Sequence, residues 1–413
     1  MDKIILHSDL NNFYASVECK HNPILAKKPL AVCGDPELRH GIVLAKNYLA
    51  KAYGIKTGDV IWEARQKCPD LNIVTANFPE YLKYSKLVHQ IYEQYTDKIE
   101  SFGIDECWLD VTASKKLFGD GKTIAKTLKQ RIKDELGLTV SIGISWNKIY
   151  AKLGSDMKKP DAITEISRDN YKKLIFSLPA KELLYVGRAT QEKLSKLGIK
   201  TIGDIVSFGR NQLISMLGKW GDYLWIFASG NDKSPVCMKG NEPIVKSVGN
   251  STTTIRDLKN EDDIKMIIIV LAESVASRLR EQGLKGKVIS LCLQDINMLS
   301  WNKQIQIKQP TFLSKVIIET AMNLFRFYSF KKPIRNISLT VSDLSYVQKK
   351  ANQLNLFTDE NSLEKTQSLE ITIDHIRERF GHSSISRASI IQDQELTELD
   401  PKEENVIHPY SYF

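Results

Sequence analysis

Residues 101–110 read SFGIDECWLD, a strand-like stretch that sets two carboxylates, Asp105 and Glu106, side by side, with Asp110 four residues on. Phe102, Ile104, Trp108 and Leu109 surround the pair with apolar bulk. A carboxylate taken out of water shifts its pKa or finds a cation. Two readings fit these ten residues. One is a wet turn at Gly103 between two strands; the other is a pair of acids held at a strand end to meet a positive partner.

Working outward, 98–112 reads as one strand or as two strands joined at Gly103. A long amphipathic helix precedes it over about 79–97, with Leu82, Leu87, Ile91 and Tyr95 forming the stripe. At the N-terminus KIILHSD (3–9) reads as a buried strand that ends in Asp9, and not as a signal peptide. NNFYASVECKHN follows as a helix capped by Asn11 or Asn12. Short strands are predicted at 28–34 and 72–77, a strand running into a helix at 41–55, and a short helix stopped by Pro69. After the acid pair come a basic helix at 121–136, a strand at 139–147, a helix ended by Pro160, and the strand DAITEI. This alternation predicts an α+β core over 1–165.

Residues 167–232 read as all-helical. Inside them VGRATQEKLSKLGIKTIGDIV places Gly187 and Gly198 at the bends of a helix–hairpin–helix pattern, whose backbone N–H groups suit DNA phosphates. A plain helical hairpin with glycine at its bends has the same pattern. Residues 230–243 read as a linker. A second α+β unit is predicted over 244–345, with Lys246, Arg256, Lys303 and Lys308 in or beside its strands. Those cations suit either a phosphate backbone or an edge strand blunted with lysine. The polar tail carries one apolar cluster, QLNLF (353–357), and a stretch over 368–381 that can make one helix.

No apolar run approaches the ~18 residues of a membrane span, and the six cysteines form no CxxC pair. A cytoplasmic protein without a disulfide framework or zinc site is expected. Residues 351–413 hold 12 Asp or Glu against 5 Lys or Arg, so the basic excess of a chain with net charge +9 lies wholly before them. That asymmetry suits a polyanion partner, above all nucleic acid.

If strand 3–9 lies beside 99–110, Asp9, Asp105 and Glu106 converge at one end of a sheet. Three carboxylates at one point repel unless a divalent cation sits among them. Oxygen ligands at strand ends suit Mg²⁺, and two such ions about 3.5–4 Å apart clamp the attacking and leaving oxygens of a phosphoryl transfer.

HSDLNNFYASVE, GIVLAKNYLAKAYGIKTG, SFGIDECWLDVT, SIGISWNKIYAKLGSDMKKPD, VGRATQEKLSKLGI, KSVGNSTTT and QLNLF stand in one order along the chain, from residue 3 to about 357. In that order and spacing they resemble the Y-family translesion DNA polymerases. The resemblance implies a multidomain α+β right-hand polymerase. Its parts would be a palm (1–10 and 76–165), small fingers (11–75), a helical thumb with the helix–hairpin–helix (166–232), a linker (233–240), an α+β little finger (241–345) and a C-terminal tail (346–413). It implies that Asp9, Asp105, Glu106 and the Leu10 backbone carbonyl bind two Mg²⁺ ions, with Glu106 on the ion that activates the primer 3′-hydroxyl. Tyr14 would be a steric gate against ribose. Tyr48, Lys51 and Lys159 would hold the dNTP triphosphate, and Gly187, Gly198, Lys246 and Arg256 would contact primer–template DNA. Gln353, Leu354, Leu356 and Phe357 would dock a monomeric enzyme on the sliding clamp.

Six residues, at four places, depart from the family pattern. Ala45-Lys46 stand where Thr-Ala is frequent, Lys51 replaces a frequent Arg, Cys107-Trp108 replace a small residue and Tyr, and Asn11 replaces a frequent second Asp. The resemblance further implies low fidelity, no proofreading exonuclease, and a part in damage tolerance and mutagenesis. The alternatives are a polymerase that needs partner subunits, a metal-dependent nuclease, and a non-catalytic DNA-binding scaffold.

Overall fold

The computed structural model describes residues 2–35, 41–240, 244–328, 332–347, 360–399 and 401. The motif QLNLF at 353–357 lies outside them. The chain divides into two compact units, one before residue 244 and one after it.

The first unit contains β1 (Ile5–Leu10), β2 (Leu30–Cys33), β3 (Val43–Lys46), β4 (Asn72–Thr75), β5 (Ile99–Ser101), β6 (Glu106–Asp110), β7 (Val140–Ser145) and β8 (Ile163–Glu165). Five of these form one sheet in the order β5-β6-β1-β7-β8, with β1 central and antiparallel to both neighbours. All six residues of β1 are buried. Alternation along a strand sends successive side chains to opposite faces. Leu6, Leu10, Cys107, Leu109, Val140 and Ile142 therefore share one core with the helices Phe78–Glu93 and Gly121–Leu136. His7, Asp9, Glu106 and Trp108 face the other side, where the helix Lys148–Met157 lies.

That helix sits unusually close to the sheet. A Cβ on Gly143 would lie 1.9 Å from the Ala151 carbonyl oxygen, so only glycine lets the helix approach β7 there. Trp108 locks it from below: its Nε1–H donates to the Lys148 carbonyl at 2.9 Å. The bulky side chain that departs from the family pattern thus holds the helix in place.

Three strands, β3-β2-β4, form a small separate sheet. Its edge strand β3 leads into the five-residue helix Tyr48–Ala52, capped by the Asn47 side chain. Helices follow β8, among them Arg188–Lys196, Ile202–Phe208, Arg210–Leu217 and Lys219–Ala228, packed around Leu194, Ile202, Ile205, Leu213 and Leu224.

Two sequence expectations for this unit change. Asn12 adopts a left-handed φ of 48° and makes no side-chain cap, while the Asn11 amide donates to Ser141 Oγ and its carbonyl oxygen accepts from Asp161 N–H. The asparagines turn the chain at the strand end and tie it to Asp161, in place of capping the helix Phe13–His21. The stretch read as a linker is also partly fastened. Val236 is buried against Ile5, Trp108 and Ala151, Cys237 N–H donates to Glu100, and Lys239 N–H donates to the Asp97 carbonyl.

The second unit is an antiparallel sheet of β9 (Ser247–Leu258), β10 (Leu284–Asp295), β11 (Ser300–Thr311) and β12 (Ile334–Tyr346), in the order β11-β10-β12-β9. The helices Glu261–Glu281 and Ser314–Phe325 cover one face. The tail adds a further layer: helix Glu360–Phe380, longer than the expected 368–381, followed by short helical segments as far as Gln394–Thr397. Ion pairs fasten it. Arg280 is held by Glu370 and, at 2.5 and 2.9 Å, by Asp374; Glu273 is held by Arg377 and Arg387. Among the described residues no helix is long and apolar enough to cross a membrane.

Candidate active site

The pairing of β1 with β6 sets Asp9 directly opposite Glu106. Leu10 N–H donates to the Asp105 carbonyl at 2.9 Å, which holds the acid pair at the end of β1. Of the two readings of SFGIDECWLD, the turn does exist, with Gly103 at φ 126°, and the acids beside it are only partly exposed. Burial, helped by the Asp9 charge, raises the Asp105 pKa. Burial pushes Glu106 up to about 8, against the opposing pull of the Lys152 ammonium.

The positive partner is lysine. Lys152 Nζ donates to Glu106 Oε2 and, at 3.2 Å, to Asp9 Oδ2. Lys159 Nζ donates to the same Asp9 oxygen at 2.7 Å. Asp156 is ion-paired with both cations, at 3.4 and 2.9 Å. Burial opposes charge on Lys152, but Glu106, Asp9 and Asp156 outweigh it and hold its pKa above the ordinary value.

His7 lies behind Glu106. The Ser155 hydroxyl donates to the Lys152 carbonyl, so its oxygen accepts the Nδ1–H of His7 at 2.8 Å. The lone pair on Nε2 then faces Glu106 Oε2 at 3.4 Å, and Nε2 has no hydrogen-bond partner. Burial, with Lys152 and Lys159 nearby, holds His7 neutral with a pKa well below 6.5.

The donor set is that of a hard divalent cation: buried carboxylates that demand compensating charge. Their oxygens are turned to ammonium groups, and among the described residues no three acidic, histidine or cysteine side chains are gathered as a metal cage. The residues fit a cation because a cation already stands among them.

Tyr14 lies on the helix after β1, stacked on Tyr81 at 4.4 Å and 8°, with Phe78 edge-on at 5.9 Å. Burial and the nearby Asp105 push its hydroxyl up to about 12. The stack fixes the ring beside the acid pair. Burial raises the Tyr48 pKa, with Lys159 and Asp9 both near enough to act on it. Lys51 is exposed, its Nζ 5.6 Å from the Tyr48 ring centre. Lys46 Nζ donates to Thr57 Oγ1 at 3.1 Å.

Gly187 precedes the helix Arg188–Lys196 and Gly198 follows it at φ 78°. A Cβ at Gly187 would meet nothing within 4 Å, so the chain's own packing does not require glycine there. Lys246 is exposed just before β9. Arg256 is differently placed from the phosphate contact expected of it: its guanidinium makes a bidentate pair with Asp263 at 2.8 and 3.0 Å and a third bond to Asp393 at 2.6 Å. It ties β9 to a helix and to the tail.

Sequence reading missed Lys152, Asp156, His7 and Ser155. The available signal was spacing: Lys148, Lys152 and Asp156 recur every four residues, and Lys159 follows one turn on.

Residues 8–156 match the impB/mucB/samB family, and residues 245–356 match that family's C-terminal domain. A DNA polymerase IV of Acetivibrio thermocellus is 48% identical over 400 residues, covering 97% of this chain and 100% of that one. A DNA polymerase IV 2 of Bacillus subtilis is 35% identical over 395 residues, covering 94% of each. Among solved structures, a Y-family DNA polymerase chimera of Dbh and Dpo4 superposes with a TM-score of 0.72 at 25% identity, over 83% of this chain and 99% of the other. With that identity over nearly its full length, and with paired acids and lysines gathered at one sheet end, the chain belongs to the DNA polymerase IV group of the Y-family and is a DNA-directed DNA polymerase.

Proposed function

We propose that the chain is a low-fidelity translesion polymerase that joins a dNTP to a primer 3′-hydroxyl by two-metal phosphoryl transfer. The observation that carries this is Asp9 opposite Glu106, with Asp105 adjoining and Lys159 bonded to Asp9. Asp9, Asp105, Glu106 and the Leu10 carbonyl would hold two Mg²⁺ ions. Bound there, they supply Lewis acidity and lower the pKa of the primer hydroxyl.

The protein's own groups do the rest. Lys159, near Tyr48 and the acid cluster, is suited to the triphosphate, where a cation offsets charge on departing pyrophosphate. Lys51 adds an exposed cation beside Tyr48. It binds phosphate as a point charge and not as the fork an arginine offers. Tyr14 cannot swing away without breaking its stack on Tyr81, so a ribose 2′-hydroxyl meets a rigid ring.

Palm, fingers, thumb and little finger are assigned to the segments the resemblance implies. Gly187, Gly198 and Lys246 are proposed DNA contacts, and Arg256 only through its structural role in β9. QLNLF is proposed to dock the sliding clamp. The enzyme is proposed to act as a cytoplasmic monomer, without proofreading, in damage tolerance.

The test is ribonucleotide selection. Tyr14→Ala is expected to raise NTP incorporation relative to dNTP by at least a hundredfold, while dNTP extension continues. Unchanged selection would remove Tyr14 from the gate and weaken the whole assignment.

A further inference from the structure

Lys152 is more than one cation among several. Its side chain is only 13% exposed, and its Nζ reaches acids on two different strands, Asp9 and Glu106. The helix that carries it cannot retreat. Gly143 and Gly154 bring helix and sheet backbones into contact, and the Trp108 indole holds the helix at Lys148. Any movement of Nζ is therefore movement of the side chain.

An alternative partner is within reach. Asp156 lies one turn along the same helix, its Oδ2 3.4 Å from Lys152 Nζ, and its side chain is 44% exposed. Glu106 has nothing comparable to fall back on. Its inner neighbour is the bare Nε2 of His7, which cannot donate. Without Lys152, Asp9 would keep Lys159, but Glu106 would lose the ammonium bonded to it and face the Asp9 charge across the strand pair.

We propose that Lys152 is a positioning residue that serves as the resident counter-cation of the acid cluster, competing with a divalent cation for Asp9 and Glu106 and moving to Asp156 when it loses. The inference rests on the proposed metal role of Asp9, Asp105 and Glu106. It differs from a general screening effect because the lysine must leave, and leaving changes its own reactivity. Held between Asp9 and Glu106 the Nζ is shielded from a reagent; turned to the half-exposed Asp156 it reaches solvent and can be acylated.

Two measurements on the full-length chain test it. In the first, the wild type is acylated briefly with and without Mg²⁺, and modification of Lys152 is read by mass spectrometry. Mg²⁺ is expected to raise Lys152 labelling severalfold, with Lys158, outside the cluster, as the internal reference. In the second, Mn²⁺ alone is titrated by electron paramagnetic resonance. Lys152→Met is expected to tighten binding about tenfold or more, since it removes a unit positive charge within about 4 Å of the ligands. Asp156→Asn is expected to loosen binding in the wild-type background and to loosen it clearly less beside Lys152→Met, where only its pair with Lys159 remains.

Labelling of Lys152 that ignores Mg²⁺ would overturn the inference, and this readout needs no variant to fold. So would additive effects of the two substitutions. Asp105→Asn separates the two layers of the argument. If Mn²⁺ still binds as in the wild type, the metal reading fails and the inference with it. If binding is lost with Asp105 but indifferent to Lys152, the inference alone fails.

Discussion

Glu370 offers the sharpest test of the tail as an integral layer of the second unit. Its carboxylate is 4% exposed, and it accepts from Ser314 N–H at 2.9 and 3.0 Å, from the Ser314 hydroxyl at 2.5 Å, and from Arg280. Breaking a buried ion pair by removing one partner costs about 3–5 kcal/mol. Arg280 keeps its bidentate pair with Asp374 and its bond to the Phe312 carbonyl, so the guanidinium is not left bare. The loss from Glu370→Ala is therefore set by the Ser314 donors and one N–H of Arg280, and belongs at the low end, about 3 kcal/mol. For a unit of this size that is a melting shift of roughly 6–12 °C. Calorimetry of the full chain reads the transition, and hydrogen exchange reads the amides of the helix Glu360–Phe380 separately from the sheet. A change below about 1 kcal/mol, with exchange in that helix unaltered, would refute the reasoning: Glu370 would then be solvated and the layer held by something else.

Two further expectations follow from the site and the tail. His7 is buried and neutral, its pKa depressed below 6.5 by burial and by the two lysines. A depressed folded pKa contributes stability that is present above about 6.5 and lost as pH falls toward the folded value, at about 1.4 kcal/mol per pH unit. Over the same range the raised Glu106 and Asp105 carboxyl groups give stability that fades as pH rises, so the reading is the difference between two series of metal-free urea melts: from about pH 7 to 5 the wild type should lose stability relative to His7→Leu, and parallel slopes would count against a buried neutral His7. On the proposed clamp reading, replacing Gln353, Leu354, Leu356 and Phe357 with alanine should abolish clamp binding and leave extension on bare primer–template unchanged. Retained clamp binding would move the docking site elsewhere.

Much of this architecture was readable from the chain. The first strand is entered through Ile4, Ile5 and Leu6, apolar on both faces, and that marks a central strand. SFGIDECWLD alternates Cys107 and Leu109 inward against Glu106 and Trp108, so a one-residue slip would bury the acids in the wrong core. Pairing these two strands was enough to bring Asp9 to Glu106. What stayed hidden was charge that is buried by pairing. Lys152 and Asp156 carry the periodicity of a solvated helix face, and nothing local says that the face is roofed by a sheet. The tail hid for the same reason. Glu370, Asp374 and Arg377 point inward, so the helix lacks an apolar stripe, and their partners Arg280 and Glu273 lie about a hundred residues away in sequence. Arg256 read as a phosphate contact because its two acids, Asp263 and Asp393, are not strand neighbours.

The central claim is that the acid pair in SFGIDECWLD carries nucleotidyl transfer. Primer extension by the purified full-length chain with Mg²⁺ and dNTPs, run beside Glu106→Ala, tests it most directly. The account predicts stepwise extension by the wild type and none above background by the variant, with both proteins binding primer–template alike. Extension by Glu106→Ala at the wild-type rate would contradict it, as would primer shortening by the wild type.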